Sequence, residues 1–236
     1  VSTETSAEIH HTHRDVTGGW LRPAVFGASD GLISNFALIS GVAGAHASAH
    51  TIAVTGIAGL IAGSFSMAAG EWISVASQSE LTRAEIEVEK RELTHNPAEE
   101  ERELALMYQS RGVEPDLARQ VAKQLSVDPE QAWRIHAREE LGVDPDDLPS
   151  PWVAAFSSMG SFALGAFTPL LPFLFGASTL VVAAVLAALA LFALGAAVSR
   201  FTARTWWFAG VRQLAIGILA AAVTFGAGAA LHTHLG

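Results

Sequence analysis

Asp30 and Glu71 are the only charged side chains between residues 23 and 75. An ionised group at the centre of a bilayer costs about 2.5–3.5 kcal/mol or more. Acids in so apolar a setting therefore mark either a pathway or a carboxyl bonded to a neighbouring helix. The short link 46–50 folds the two flanking apolar stretches into an antiparallel hairpin centred near residue 48. Asp30 lies 18 residues before that centre and Met67 lies 19 after it, which places carboxylate and thioether at similar depth. Ser29, Ser34, Asn35, Ser64 and Ser66 should lie nearby. Such a set could pass a partly dehydrated divalent cation, the carboxylate supplying charge and the thioether favouring transition metals over Mg²⁺ or Ca²⁺. Asp30 could also exchange protons. The plainer alternatives are a packing role for Met67 and simple water access for Glu71, which sits nearer the mouth.

A second group of acids follows. Glu85, Glu89 and Glu92 share one helical face, and Glu99/Glu103 and His136/Glu140 repeat the four-residue spacing, with Glu100 beside the former. Stacked like charges repel unless a cation or facing Lys/Arg neutralises them, so these residues are candidate metal ligands as well as candidate solvated faces. Glu92 and His95 also form an E-x-x-H, the helical signature of di-iron bundles, in a single copy. His10, His11 and His13 could bind metal but read as part of a polar tail. His46, His50, His232 and His234, at the other end of the spans, could receive metal or protons, or be ordinary loop histidines.

The elements that must hold these residues follow from composition. Half the residues are hydrophobic, yet the net charge is −9. Residues 80–148 contain 18 Asp/Glu against 9 Lys/Arg and so carry that whole imbalance, while the remainder has 5 of each. The pattern is a lipid-embedded body with a separate water-exposed domain. An acidic domain argues against nucleic-acid binding, which needs a basic surplus. No cysteine is present, so disulfides and thiolate metal sites are excluded. No G-x-x-x-x-G-K-[ST] motif suggests a nucleotide-driven pump, and the first 19 residues lack the apolar core of a signal peptide.

About 20 apolar helical residues cross a bilayer. Segments 23–45, 51–75, 152–174, 177–199 and 207–231 qualify, giving an all-α membrane protein with five spans. The Ala/Leu/Val-rich 177–199 reads as the most lipid-facing, and Gly59-x-x-x-Gly63 favours a close helix contact. The polar part continues the second span to His95, stops at Asn96-Pro97, and resumes as helices over 98–111, 115–125 and 129–141. The resulting division is a tail (1–20), two spans (21–79), an acidic helical metal-binding domain (80–148) and three spans (149–236). All 14 Lys/Arg fall on the side of the tail and acidic domain, counting Arg212 as boundary. That places both in the cytoplasm and the C-terminus outside.

FGASDGLISNFALISGVAGA (26–45), IAGSFSMAAGEWISVASQSE (61–80) and PWVAAFSSMGSFALGAFTPLLPFLF (151–175) resemble, in order, the first three spans of the vacuolar iron transporter family. The resemblance implies a homodimeric transporter exchanging Fe²⁺ for protons, without a prosthetic group. It implies pathway roles for Asp30 and Met67 and metal-domain roles for Glu89, Glu92, Glu100, Glu103 and Glu140. Two departures stand out. Plant members carry a glutamate eight residues before the pathway methionine, where this chain has Gly59, and Glu71 places an acid one turn to the other side of Met67. A family methionine late in the domain is replaced by His136, which exchanges a soft ligand for a borderline one and broadens the candidate cargo to Mn²⁺, Co²⁺ and Zn²⁺. The composition and charge pattern suit a bacterial plasma membrane. The rival expectations are a membrane-tethered iron oxidase built on Glu92 and His95, and a metal sensor or buffer that does not transport.

Overall fold

In the computed structural model the described residues are 19–176, 179–202 and 204–235. Among them the chain is entirely helical, with five helices long and apolar enough to cross a membrane. It is a multi-pass membrane protein.

Helix α1 (Leu21–Gly44) is the hub of the bundle and packs against the helices of all four other spans. Helix α2 (Ala49–His95) is capped by Ser48, whose hydroxyl accepts from the Thr51 amide, and runs unbroken for 47 residues. At 1.5 Å per residue it is about 70 Å long, more than twice the depth of a bilayer core, so its second half must project beyond the apolar bundle. Asn96-Pro97 ends it. The next helices are α3 (Pro97–Ser110), α4 (Pro115–Leu125), α5 (Pro129–Glu139) and α6 (Pro151–Phe167). Each starts on a proline, which fits the first helical position because it lacks only an amide that has no partner there. In the last three the preceding residue caps: Glu114, Asp128 and Ser150 accept from the amides of Leu117, Glu130 and Val153.

The third span departs from a single predicted helix. Pro169 has no amide to offer Gly165, whose carbonyl instead accepts from Thr168. The chain tightens into a 3₁₀ turn over Thr168–Leu170 and resumes as α7 (Leu171–Leu174). The fourth span, α8 (Leu180–Val198), starts later than predicted, and α9 (Trp206–Leu235) is longer at both ends. The expectation that the fourth span faces lipid most is corrected. Helix α8 buries 22 % of its most apolar stretch, α2 17 % and α9 only 11 %. The reason is that Ala183, Ala187, Leu191 and Gly195 form a stripe of four-residue spacing that packs inward. Composition alone does not show that stripe, because both faces of α8 are equally apolar.

The membrane core gathers Phe36, Ile39, Ile52, Leu170, Phe173, Ala183, Ala187 and Ala221. Helices α1 and α6 lie close because a Cβ at Gly31 or Gly165 would strike the backbone of the opposite helix. A smaller core of Leu104, Ala105 and Ala122 joins α3 and α4, with Ile135 of α5 packed on it. Arg111 pairs with Glu139, tying the end of α3 to α5.

Candidate transport pathway and metal cluster

Asp30, Met67 and Glu71 all line one cavity of about 550 Å³ between α1 and α2, floored by Phe162. The hairpin centred near residue 48 therefore brings carboxylate and thioether to one cavity. Ser34, Asn35 and Ser66 also line it, whereas Ser64 is buried and donates to the Leu60 carbonyl. Gly59 and Gly63 are part of the wall. A side chain at Gly59 would meet Leu38 and the Asn35 amide oxygen, and one at Gly63 would meet the Phe162 ring.

Asn35 is only 2 % exposed. Its Nδ2 donates to the Ala166 carbonyl at 2.7 Å, in the last turn of α6 just before the Pro169 break. That bond fixes which way the amide faces, and it leaves Oδ1 buried without a partner. A bare carbonyl oxygen buried in a membrane protein costs on the order of 1–3 kcal/mol.

Glu71 and Ser74 also line a second cavity, of about 220 Å³, between α2, the chain around Arg22 and Pro23, and the linker residues Val143, Leu148 and Pro149. Glu71 thus stands between the membrane cavity and the base of the projecting helices. Ser79 donates to the Pro149 carbonyl at 3.3 Å and holds the linker against α2 there.

Further along α2, Glu89 meets Glu100 of α3 and His136 of α5. One ligand atom from each lies within 4.8 Å of the others, and all three residues are buried. His136 Nδ1 is 2.9 Å from Glu89 Oε1 and 3.6 Å from Glu100 Oε2. The first is an ion pair without hydrogen-bond alignment and the second is too long for a hydrogen bond, so both ring nitrogens of His136 and Oε1 of Glu89 are buried without a hydrogen-bond partner. Native proteins rarely leave three such atoms together unless something absent from the polypeptide satisfies them. Two carboxylates and an imidazole suit a borderline divalent metal.

The electrostatics agree. Burial, then the charges of Glu89, Glu103 and Glu92, push the Glu100 carboxyl up, with His136 opposing. Burial and the carboxylates of Glu89 and Glu103 push Glu140 up to about 7. For His136, burial acts downward but is outweighed by the contact with Glu89 and the charges of Glu89, Glu100 and Glu140, and the net shift is upward. The site is therefore an excess of negative charge held around one imidazole.

The remaining predicted ligands are less engaged. Glu103 is exposed but near enough to act on Glu100 electrostatically, and Glu140, though exposed as a whole residue, has its carboxyl partly desolvated and is acted on by Glu89. Glu92 is exposed and accepts from Asn96 Nδ2 at 2.8 Å. His95 is exposed with Nδ1 2.7 Å from the Arg91 carbonyl, so the E-x-x-H pair is occupied with local bonds around the end of α2. Glu85 is exposed and outside the three-residue group. His10, His11 and His13 and the side chain of His234 lie outside the described residues. The convergence of His136 on Glu89 across 47 positions is the feature least visible in sequence, since only the packing of α5 on α2 produces it.

A family profile described as VIT family matches residues 21–229. The chain belongs to the VIT family. This VIT-family chain is 36% identical over 221 residues to a vacuolar iron transporter of Acanthamoeba castellanii, covering 90% of this chain and 78% of that one. It is 33% identical over 221 residues to vacuolar iron transporter 1 of Arabidopsis thaliana (92% and 88% covered). It is 30% identical over 230 residues to vacuolar iron transporter 1 of Oryza sativa subsp. japonica (95% and 91% covered).

Proposed function

We propose that this VIT-family protein is a transporter, not an enzyme, that carries Fe²⁺, and Mn²⁺ as a second cargo, out of the cytoplasm in exchange for protons. The family membership and the names of its relatives support metal-ion transport. The observation that carries the reading is spatial. The buried Glu89–Glu100–His136 group, then Glu71, then Met67 and Asp30 form a descending series of metal-compatible groups along α2 and α1. The projecting helices collect the ion on the cytoplasmic side, Glu71 passes it inward, and Asp30 and Met67 take it through the bilayer. The local bonds of His95 and Glu92 disfavour a di-iron oxidase, and a buffer would have no use for an acid at Asp30.

The same face of α2 supports a homodimer. Most of α2's apolar stretch is exposed beside a cavity that opens along it, and a second copy would seal the cavity from lipid. A bacterial plasma membrane is the proposed location, with the tail and projecting helices cytoplasmic.

Asn35 belongs in this pathway as a neutral oxygen ligand. Asn35→Leu keeps the branched shape but removes both the donor to Ala166 and the unpartnered oxygen, whereas Asn35→Asp keeps an oxygen facing the cavity and removes the donor to Ala166. The expected result is an Fe²⁺ KM raised about tenfold, or 1.4 kcal/mol, in the Leu variant, with the Asp variant at or below the unmutated KM. Equal damage in both, with KM unmoved, would show that Asn35 merely anchors α6.

The function itself is tested by Fe²⁺ uptake into proteoliposomes with and without an imposed proton gradient. Uptake that grows with the gradient is expected. No flux of Fe²⁺, Mn²⁺, Co²⁺ or Zn²⁺ through folded, inserted protein would overturn the reading.

A further inference from the structure

Among the described residues, the end of the bundle opposite the projecting helices contains no Asp, Glu, Lys or Arg. None occurs in residues 31–70, 153–199 or 213–236, so the ionisable side chains described there are His46, His50 and His232. His46 follows the end of α1 and His232 lies in the last turn of α9, 186 residues apart in sequence, yet their ring centroids are 4.9 Å apart with planes tilted by 36°. The pairing is set by backbone rather than by the rings. Thr224 of α9 donates to the Ala37 carbonyl of α1 at 2.6 Å. A Cβ at Gly44 or Gly228 would collide with the carbonyl of Phe225 or Gly41 respectively, so only glycine lets the two helix ends approach this closely.

His46 itself stands where glycine would be expected. Its φ is 59°, the only positive value at a non-glycine position among the described residues. The turn is closed by the amides of Ala45, His46 and Ala47 donating to the Gly41, Ala43 and Val42 carbonyls. Such helix-ending positions favour glycine, although histidine tolerates them better than most residues. A residue kept in that conformation, with its ring turned onto a second imidazole, suggests a use for the side chain.

We propose that His46 and His232 form a two-imidazole binding site for a borderline divalent transition metal, water completing the coordination. Imidazoles with no carboxylate among them discriminate against Mg²⁺ and Ca²⁺ and favour Zn²⁺, Ni²⁺ or Cu²⁺. The site is separate from the Asp30 cavity and from the Glu89–Glu100–His136 group. Under the transport reading it lies at the mouth where cargo is handed over, but its test does not use flux, so either idea can fail alone.

The test is Cu²⁺ binding to the full chain in detergent, read as stoichiometry and by electron paramagnetic resonance. The unmutated protein should bind one Cu²⁺ more per chain than His46→Ala with His232→Ala, and that ion's spectrum should show coupling to imidazole nitrogen. Each single variant should lose the same ion, because the site needs both rings. His46→Gly provides a variant that cannot be dismissed as misfolded. Glycine suits the left-handed backbone, so this protein should melt at the same or a higher temperature while losing the ion. Unchanged stoichiometry in the double variant or in His46→Gly would overturn the proposal and leave the rings as a packing contact.

Discussion

Asp30→Asn should abolish metal flux while leaving the protein folded and inserted. The carboxylate lines a cavity within a stretch that has no basic side chain from residue 23 to 75. Keeping a charge there costs about 2.5–3.5 kcal/mol, and asparagine removes that cost at nearly constant volume. The variant should therefore be at least as stable as the parent. What it loses is the attraction that draws a divalent ion out of water. A loss of similar size, at 1.4 kcal/mol per decade, reduces flux by about two orders of magnitude. The measurement is proteoliposome uptake beside a melting curve. Flux at the parent rate would rule out an essential charge at this position.

Replacing Glu89 and His136 together by leucine should remove tight metal binding from the projecting helices without destabilising the metal-free protein. Three atoms of this pair are buried with no hydrogen-bond partner, and exchanging a poorly satisfied buried ion pair for apolar side chains is typically neutral or stabilising by about 1–4 kcal/mol. Loss of ligands that touch the metal should exceed the 10–100-fold penalty usual for outer-sphere partners. Calorimetric titration with Mn²⁺ or Co²⁺ and a melting curve in chelator separate the two effects. A fall in metal-free melting temperature would make the pair a structural ion pair rather than a site held ready for metal.

The same group fixes a pH dependence. Glu140 is pushed up to about 7 and His136 is also raised. Protons compete with metal for these groups, so affinity should climb steeply as pH rises through about 7. Metal-free stability should run the other way. Each group binds its proton more tightly folded than unfolded, so its contribution is present below the unfolded value and is lost as pH rises through the folded one. Melting temperature in chelator should therefore drop between about pH 5.5 and about pH 8, and saturating metal should reverse the trend. A metal-free melting temperature that rises over that interval would contradict the proposed electrostatics.

Much of this molecule is legible in its residues because the bilayer and the helix impose simple rules. Apolar runs of about 20 residues mark the spans, proline marks the helix starts at 97, 115, 129 and 151, and the short link at 46–50 brings Asp30 and Met67 to one cavity. Each of these depends on neighbours in sequence or on one hairpin. Tertiary structure decided what depends on packing between distant helices. It selected Glu89, Glu100 and His136 from a longer run of acids, because only residues on the faces where α2, α3 and α5 meet are buried together. It gave Asn35 its orientation through the Ala166 carbonyl of a helix 131 residues away. It also turned α8 inward along a stripe no composition could reveal, and brought His46 to His232 where two helix ends meet on glycine.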